Sequence, residues 1–93
     1  MKTIKIPGKN RKHKVFMYTL STCGWCKMTK NFFKEQDIEC EYVDVDQCSE
    51  EEYKAARQDI LNRGGNLSFP TIIIDDKILI TGFQKDKIKK ALA

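Results

Sequence analysis

Apolar and polar residues alternate along Thr3-Ile4-Lys5-Ile6, the period of a short strand. Pro7-Gly8-Lys9-Asn10 is turn chemistry, and Lys14 to Leu20 reads as the next strand, so the first two segments suit a hairpin. From about Gly24 to Gln36 the period lengthens to that of an amphipathic helix, with Met28, Phe32 and Phe33 on the expected buried face. Glu39 to Val45 returns to strand, with Glu41, Val43 and Val45 on one face. Ser49-Glu50-Glu51-Glu52 is a capping box: a Ser N-cap with Glu three residues on. The helix it opens runs to about Asn62 through Tyr53, Ala56, Ile60 and Leu61, and Arg63-Gly64-Gly65-Asn66 stops it. Thr71-Ile72-Ile73-Ile74 is apolar without interruption, which predicts a central strand buried on both faces. Asp75-Asp76 turns the chain, Lys77 to Thr81 is the return strand, and Gly82 breaks the pattern. Asp86 to Ala93 then predicts a short helix packing Ile88 and Leu92.

The predicted order is β-β-α-β-α-β-β-α. The first βαβ step implies a parallel pair with a right-handed crossover, and the last hairpin an antiparallel one. The fold class is therefore α/β: a three-layer sandwich around a small mixed sheet, with a βαβαββα core and an extra N-terminal strand. Ninety-three residues make one domain, 1–93, in which 1–13 supply the N-terminal strand and a basic turn and 14–93 the core. No apolar run approaches the ~20 residues of a membrane span. Met1-Lys2-Thr3-Ile4-Lys5-Ile6 has no signal-peptide h-region. The expectation is a cytoplasmic monomer with no membrane partner.

The net charge of +4 is segregated. Residues 1–14 carry six Lys or Arg and no acid, residues 37–52 eight Asp or Glu and no base, and the C-terminal end is again basic. No aromatic interleaving or nucleic-acid motif accompanies the basic arm, so these runs read as solvated faces and no nucleic-acid partner is expected.

The chemistry-bearing motif is Cys23-Gly24-Trp25-Cys26, between the predicted strand 14–20 and the helix that follows. This puts Cys23 at a helix N-terminus, where the dipole and free backbone N–H groups favour a thiolate, and Cys26 one turn on. A dithiol–disulfide site results, with Cys23 as nucleophile and Cys26 as the more buried, resolving thiol of higher pKa. Such a pair suits a reducing compartment better than structural bridges do. Cys40 reads as a small buried hydrophobe, Cys48 as an exposed, oxidisable thiol, and His13 as a solvated side chain with no carboxylate partner near it in sequence. Lys27, Lys30 and Lys34 form a basic stripe along the helix. Lys30 and Lys34 read as a solvated face, whereas Lys27 would stabilise a thiolate or hold an anionic thiol. Trp25, exposed between the thiols, reads as part of a substrate platform.

The run Tyr18-Thr19-Leu20-Ser21-Thr22-Cys23-Gly24-Trp25-Cys26, with Ser68-Phe69-Pro70-Thr71 and Gly82-Phe83, resembles the glutaredoxins of the thioredoxin superfamily over residues 14–93. The resemblance implies the thioredoxin-like fold and a cis Phe69-Pro70 bond facing the thiols. It also implies a substrate groove in which Phe69, Pro70, Gly82 and Phe83 join Trp25 and Lys27. The implied activity is reduction of protein disulfides, leaving a Cys23–Cys26 redox disulfide. A low-molecular-weight thiol (glutathione or coenzyme M) or a flavoprotein disulfide reductase would recycle it, with no tightly bound cofactor. Three positions depart from the glutathione-using pattern. Leu20 stands where a Lys is usual, Gly24 where a Pro is usual, and Gly82-Phe83 where Gly-Gly and an acid are usual. The combination also resembles glutaredoxin-like proteins of anaerobic archaea, which brings in coenzyme M. Two alternatives stay open. Gly82-Phe83 resembles redoxins that donate electrons to ribonucleotide reductase through thioredoxin reductase. Gly24 resembles glutaredoxins that hold an iron–sulfur cluster as dimers with two external thiols. A zinc site within the chain is poorly served by the spacing of Cys40, Cys48 and His13.

Overall fold

The computed structural model describes residues 2–93; Met1, at the start of the expected 1–13 segment, lies outside them. The elements are β1 (Ile4–Ile6), β2 (Val15–Thr19), α1 (Gly24–Glu35), β3 (Cys40–Asp44), a 3-10 turn (Val45–Gln47), α2 (Glu50–Asn62), β4 (Thr71–Ile74), β5 (Ile78–Thr81) and α3 (Lys85–Ala91). The five strands form one sheet in the order β1-β3-β2-β4-β5. β2 and β3 run parallel, joined by α1, and every other pair is antiparallel.

Period-two alternation divides the core between the two faces of the sheet. Val15, Met17, Ile72, Ile74 and Ile80 pack with Phe32 and Phe33 of α1 and Ile88 of α3. Tyr18, Val43, Val45 and Ile73 pack with Ala56 and Ile60 of α2. This is the expected three-layer α/β sandwich, and β4 is buried along its whole length. The Ser49 capping box forms in full. Asp75 and Asp76 turn the chain with φ of 54° and 58°, a left-handed conformation that aspartate tolerates better than most side chains.

Several expectations fail on packing. β1 does not form a hairpin with β2; it pairs antiparallel with β3, Ile4 opposite Tyr42 and Ile6 opposite Cys40. The parallel crossover places β3 beside β2 first, so the outer edge of β3 is the one left for β1. Met28 is 49% exposed, and Tyr53 and Leu61 are also exposed, because each helix covers the sheet with a narrower stripe than its apolar residues span. Asp86 does not begin the last helix; Lys85 does. His13 is not a lone solvated side chain: its Nδ1 lies 2.6 Å from the carboxylate of Asp75, sixty-two residues away in sequence. No helix among the described residues is long and apolar enough to cross a membrane.

Candidate active site

β2 ends at Thr19, and a tight turn closes when the Cys23 N–H donates to the Leu20 carbonyl at 3.3 Å. Cys23 is the N-cap of α1, with extended backbone, and its Sγ accepts from the Cys26 N–H at 3.1 Å. A sulfur in that position satisfies one of the donors every helix start leaves free. Cys23 is half-buried and Cys26 fully buried. Burial, then the hydrogen bond with Cys23, pushes the Cys26 thiol up to about 12. One sulfur is thus reachable, while the other is held one turn below it as a thiol.

Ser68 to Thr71 form the opposite wall. The Phe69–Pro70 bond is cis. The Cys23 thiol faces the Phe69 carbonyl oxygen at 3.9 Å. The Pro70 carbonyl accepts from the Gly82 N–H at 2.7 Å, and Gly82 has φ of 82°, which favours glycine. Phe83 is half-buried against the core, its ring 5.8 Å from that of Phe32. Phe83, Met28, Asn31, Phe32, Glu35 and Lys85 line an open groove of about 290 Å³. Trp25 is 61% exposed on the first turn of α1, and Lys27 is exposed beside it. The fold therefore brings Cys23, Cys26, Phe69 and Pro70 together, ties Gly82 to Pro70, and leaves Trp25 and Lys27 on the rim.

Two braces were not foreseen. The Ser21 N–H donates to Asp46 Oδ1 at 2.9 Å, and the Ser21 hydroxyl donates to the other oxygen of the same carboxylate. Gln47 Nε2 in turn donates to the Ser21 hydroxyl at 3.2 Å. Lys30, expected on a solvated face, is a half-buried cation. Its Nζ lies 3.1 Å from Asp44 Oδ1 and 3.9 Å from the centre of the Tyr42 ring, and Thr19 Oγ1 donates to the same oxygen at 2.6 Å. The acidic run of residues 37–52 thus holds the CxxC loop and the first turns of α1. The signal for this was present: Asp44 lies near the end of, and Asp46 just after, a strand predicted to lie parallel beside the one that delivers the thiols, so both strand ends reach the same edge.

The bonds from the hydroxyl and N–H of Ser21 hold the Asp46 carboxyl below the usual carboxylate range. A carboxyl depressed in the folded state adds stability above its ordinary pKa, ~3.9, and loses it as pH falls through the lower folded value. Asp46→Ala is expected to lower the Tm by about 2–5 °C at pH 6, roughly the weight of one exposed charge-assisted hydrogen bond. The difference from the native protein should close as the pH is taken toward 2, and thermal scans followed by circular dichroism across that range check it.

The other cysteines stand apart from the site. Cys40 is buried on the α1 face of the sheet and Cys48 borders the core on the α2 face, so the sheet separates them. Cys48 is not the exposed thiol expected: it is half-buried and donates to the Asp44 carbonyl at 3.6 Å. Burial first, then the neighbouring acids, raises its pKa, which works against oxidation through the thiolate. Among the described residues no three His, Cys, Asp or Glu side chains come together to hold a metal.

The Glutaredoxin family model matches residues 15–79. The chain is 32% identical over 76 residues to a glutaredoxin-like 8.6 kDa protein in the rubredoxin operon of Clostridium pasteurianum, spanning 82% of this chain and 93% of that protein. Among solved structures, it is similar to the glutaredoxin from Methanosarcina mazei Go1, with 34% identity, a TM-score of 0.88, and coverage of 100% of this chain and 89% of that one. It is also similar to Methanosarcina acetivorans methanoredoxin, at 40% identity and a TM-score of 0.85, over 92% of this chain and 90% of that one.

Proposed function

The chain belongs to the glutaredoxin family and has its thioredoxin-like fold, and on that premise we propose that it reduces protein disulfides through Cys23 and Cys26. We further propose that a low-molecular-weight thiol, glutathione or coenzyme M, recycles it. The observation that carries the reading is the asymmetry of the pair: a reachable Cys23 sulfur capping α1 above a fully buried Cys26.

In the first step the Cys23 thiolate attacks a substrate disulfide. A Cys23–substrate bond forms, the substrate S–S bond breaks, and the first substrate sulfur leaves as a thiolate that takes up a proton. In the second step Cys26 gives up its proton and attacks Cys23 Sγ. The second substrate thiol is released and the Cys23–Cys26 disulfide remains. Two equivalents of the small thiol then reduce that disulfide and are themselves oxidised to one disulfide. The backbone N–H and C=O of Phe69 would align an extended substrate beside the sulfur, as strand addition does. Trp25, Lys27 and Phe83 would contact what flanks the target disulfide, and Gly82 would hold the Pro70 carbonyl. Leu20 and Gly24, where glutathione-using relatives carry Lys and Pro, weaken the case for glutathione and leave coenzyme M the better supported thiol.

A reductant panel tests this reading. Oxidised protein is offered glutathione, coenzyme M, or thioredoxin reductase with NADPH, and free thiols are counted against time. Reduction by coenzyme M or glutathione is the expected result. Reduction by the flavoenzyme alone would instead place the protein among thioredoxin-like donors.

A further inference from the structure

A thiol as buried as Cys26 must still lose its proton to resolve a mixed disulfide, and Cys23 itself cannot help once it is part of that disulfide. Cys23 lies above Cys26 and takes its backbone N–H, and the cation of Lys30 lies on the same helix. Lys30 is four residues on, one turn along the same face, where side chains lie about 5–6 Å apart at Cβ. Lys27, one residue on, is rotated by about 100° and exposed.

Lys30 is unlike the other lysines of the α1 stripe. Its side chain is 14% exposed, and it is held by two residues on one face of β3: Asp44, itself 15% exposed, and the ring of Tyr42. Asp44 is in turn fixed by Thr19 from β2, and Cys48 donates to its carbonyl. Burying a lysine costs free energy, and a long flexible side chain rarely accepts one fixed place without several partners. A clamped cation one turn along from the resolving thiol, and farther along the helix from the Cys23 that caps it, is better suited to the second step than to the first.

We propose that Lys30, held by Asp44 and Tyr42, is a positioning residue for the resolving step, favouring the thiolate of Cys26 as it attacks Cys23. The proton leaves Cys26 as the new S–S bond forms and passes to solvent water, or to the departing substrate thiolate where that sulfur is basic enough to hold it. Lys30 acts through its charge and takes no part in the transfer. Burial raises the Cys26 pKa and Lys30 lowers it, the latter being the smaller effect. Lys30 therefore moderates the barrier without removing it.

The inference rests on the disulfide-reduction reading, and one stopped-flow experiment separates them. The reduced native protein is mixed with the aromatic disulfide 5,5′-dithiobis(2-nitrobenzoate). Attack by Cys23 releases one coloured thiolate, and resolution by Cys26 releases a second. If the native protein gives no second phase, the disulfide-reduction reading itself fails. With both phases present, Lys30→Gln is expected to slow the second about tenfold near neutral pH and move its pH profile about one unit alkaline, since one pKa unit is tenfold in thiolate. The first phase should stay within about twofold, and Lys30→Arg should recover most of the second. A second phase with the native rate and pH profile in Lys30→Gln overturns the proposal. If that variant does not fold because Asp44 is left without its cation, Lys30→Gln/Asp44→Asn leaves no unpaired charge and is expected to slow the second phase in the same direction by a smaller factor, since the opposing carboxylate is removed too; a native second phase in it overturns the proposal.

Discussion

Cys23→Ser is expected to abolish disulfide reduction, lowering turnover by about three orders of magnitude or more. A serine hydroxyl is scarcely ionised at neutral pH, and its oxygen does not replace sulfur in thiol–disulfide exchange. The substitution is informative because it should not disturb the fold. Serine is among the best N-cap residues, and its oxygen can accept from the same Cys26 N–H that Cys23 Sγ now takes at 3.1 Å. Insulin or a small aromatic disulfide serves as substrate, and circular dichroism confirms folding. Residual activity above a few per cent would assign the attack to another thiol and overturn the role given to Cys23.

The second large effect is expected from Cys26→Ser, and it differs in kind. Cys23 remains at the N-cap and should still attack at close to the native rate. Nothing then releases the product, so the Cys23–substrate mixed disulfide accumulates and turnover on protein disulfides falls about a hundredfold or more. Mass spectrometry should find one substrate thiol covalently attached per chain, and the aromatic disulfide should release one coloured thiolate instead of two. Release of both would show that Cys26 is not the resolving thiol. The native protein carries a related pH signature. With the Cys26 thiol pushed up to about 12, the thiolate fraction and the resolving rate should rise about tenfold per pH unit through the neutral range.

The two outcomes divide the site in a way the residue order already suggested. An apolar strand, a CxxC and an amphipathic helix in succession place the first thiol at a helix start whatever surrounds them, because helix geometry alone does it. The unbroken Thr71–Ile74 run likewise implied a strand buried on both faces, and β4 is one. The capping box at Ser49 needs only three residues to recognise and forms as read. Local patterns of this kind carry their own physics.

What depended on contacts distant in sequence was less legible. Met28 has the apolar spacing of a core position but lies beyond the stripe of α1 that meets the sheet. β1 has the turn that suits a hairpin but takes the open edge of β3. Lys30 looked like its neighbours in a basic stripe, and only the approach of Asp44 and Tyr42 from β3 made it a buried cation. His13 had no acid nearby until the β4–β5 turn brought Asp75 against it.

By itself, then, the sequence determined the order of elements, the layer architecture and the position of Cys23 at a helix N-terminus. Each follows from periodicity or capping within a dozen residues. Only the tertiary structure decided that Lys30 is a half-buried cation and that Asp44 and Asp46 brace the thiol loop. These depend on which segments meet at one edge of the sheet. That meeting is set by strand order and burial, and neither is encoded in any single stretch of chain.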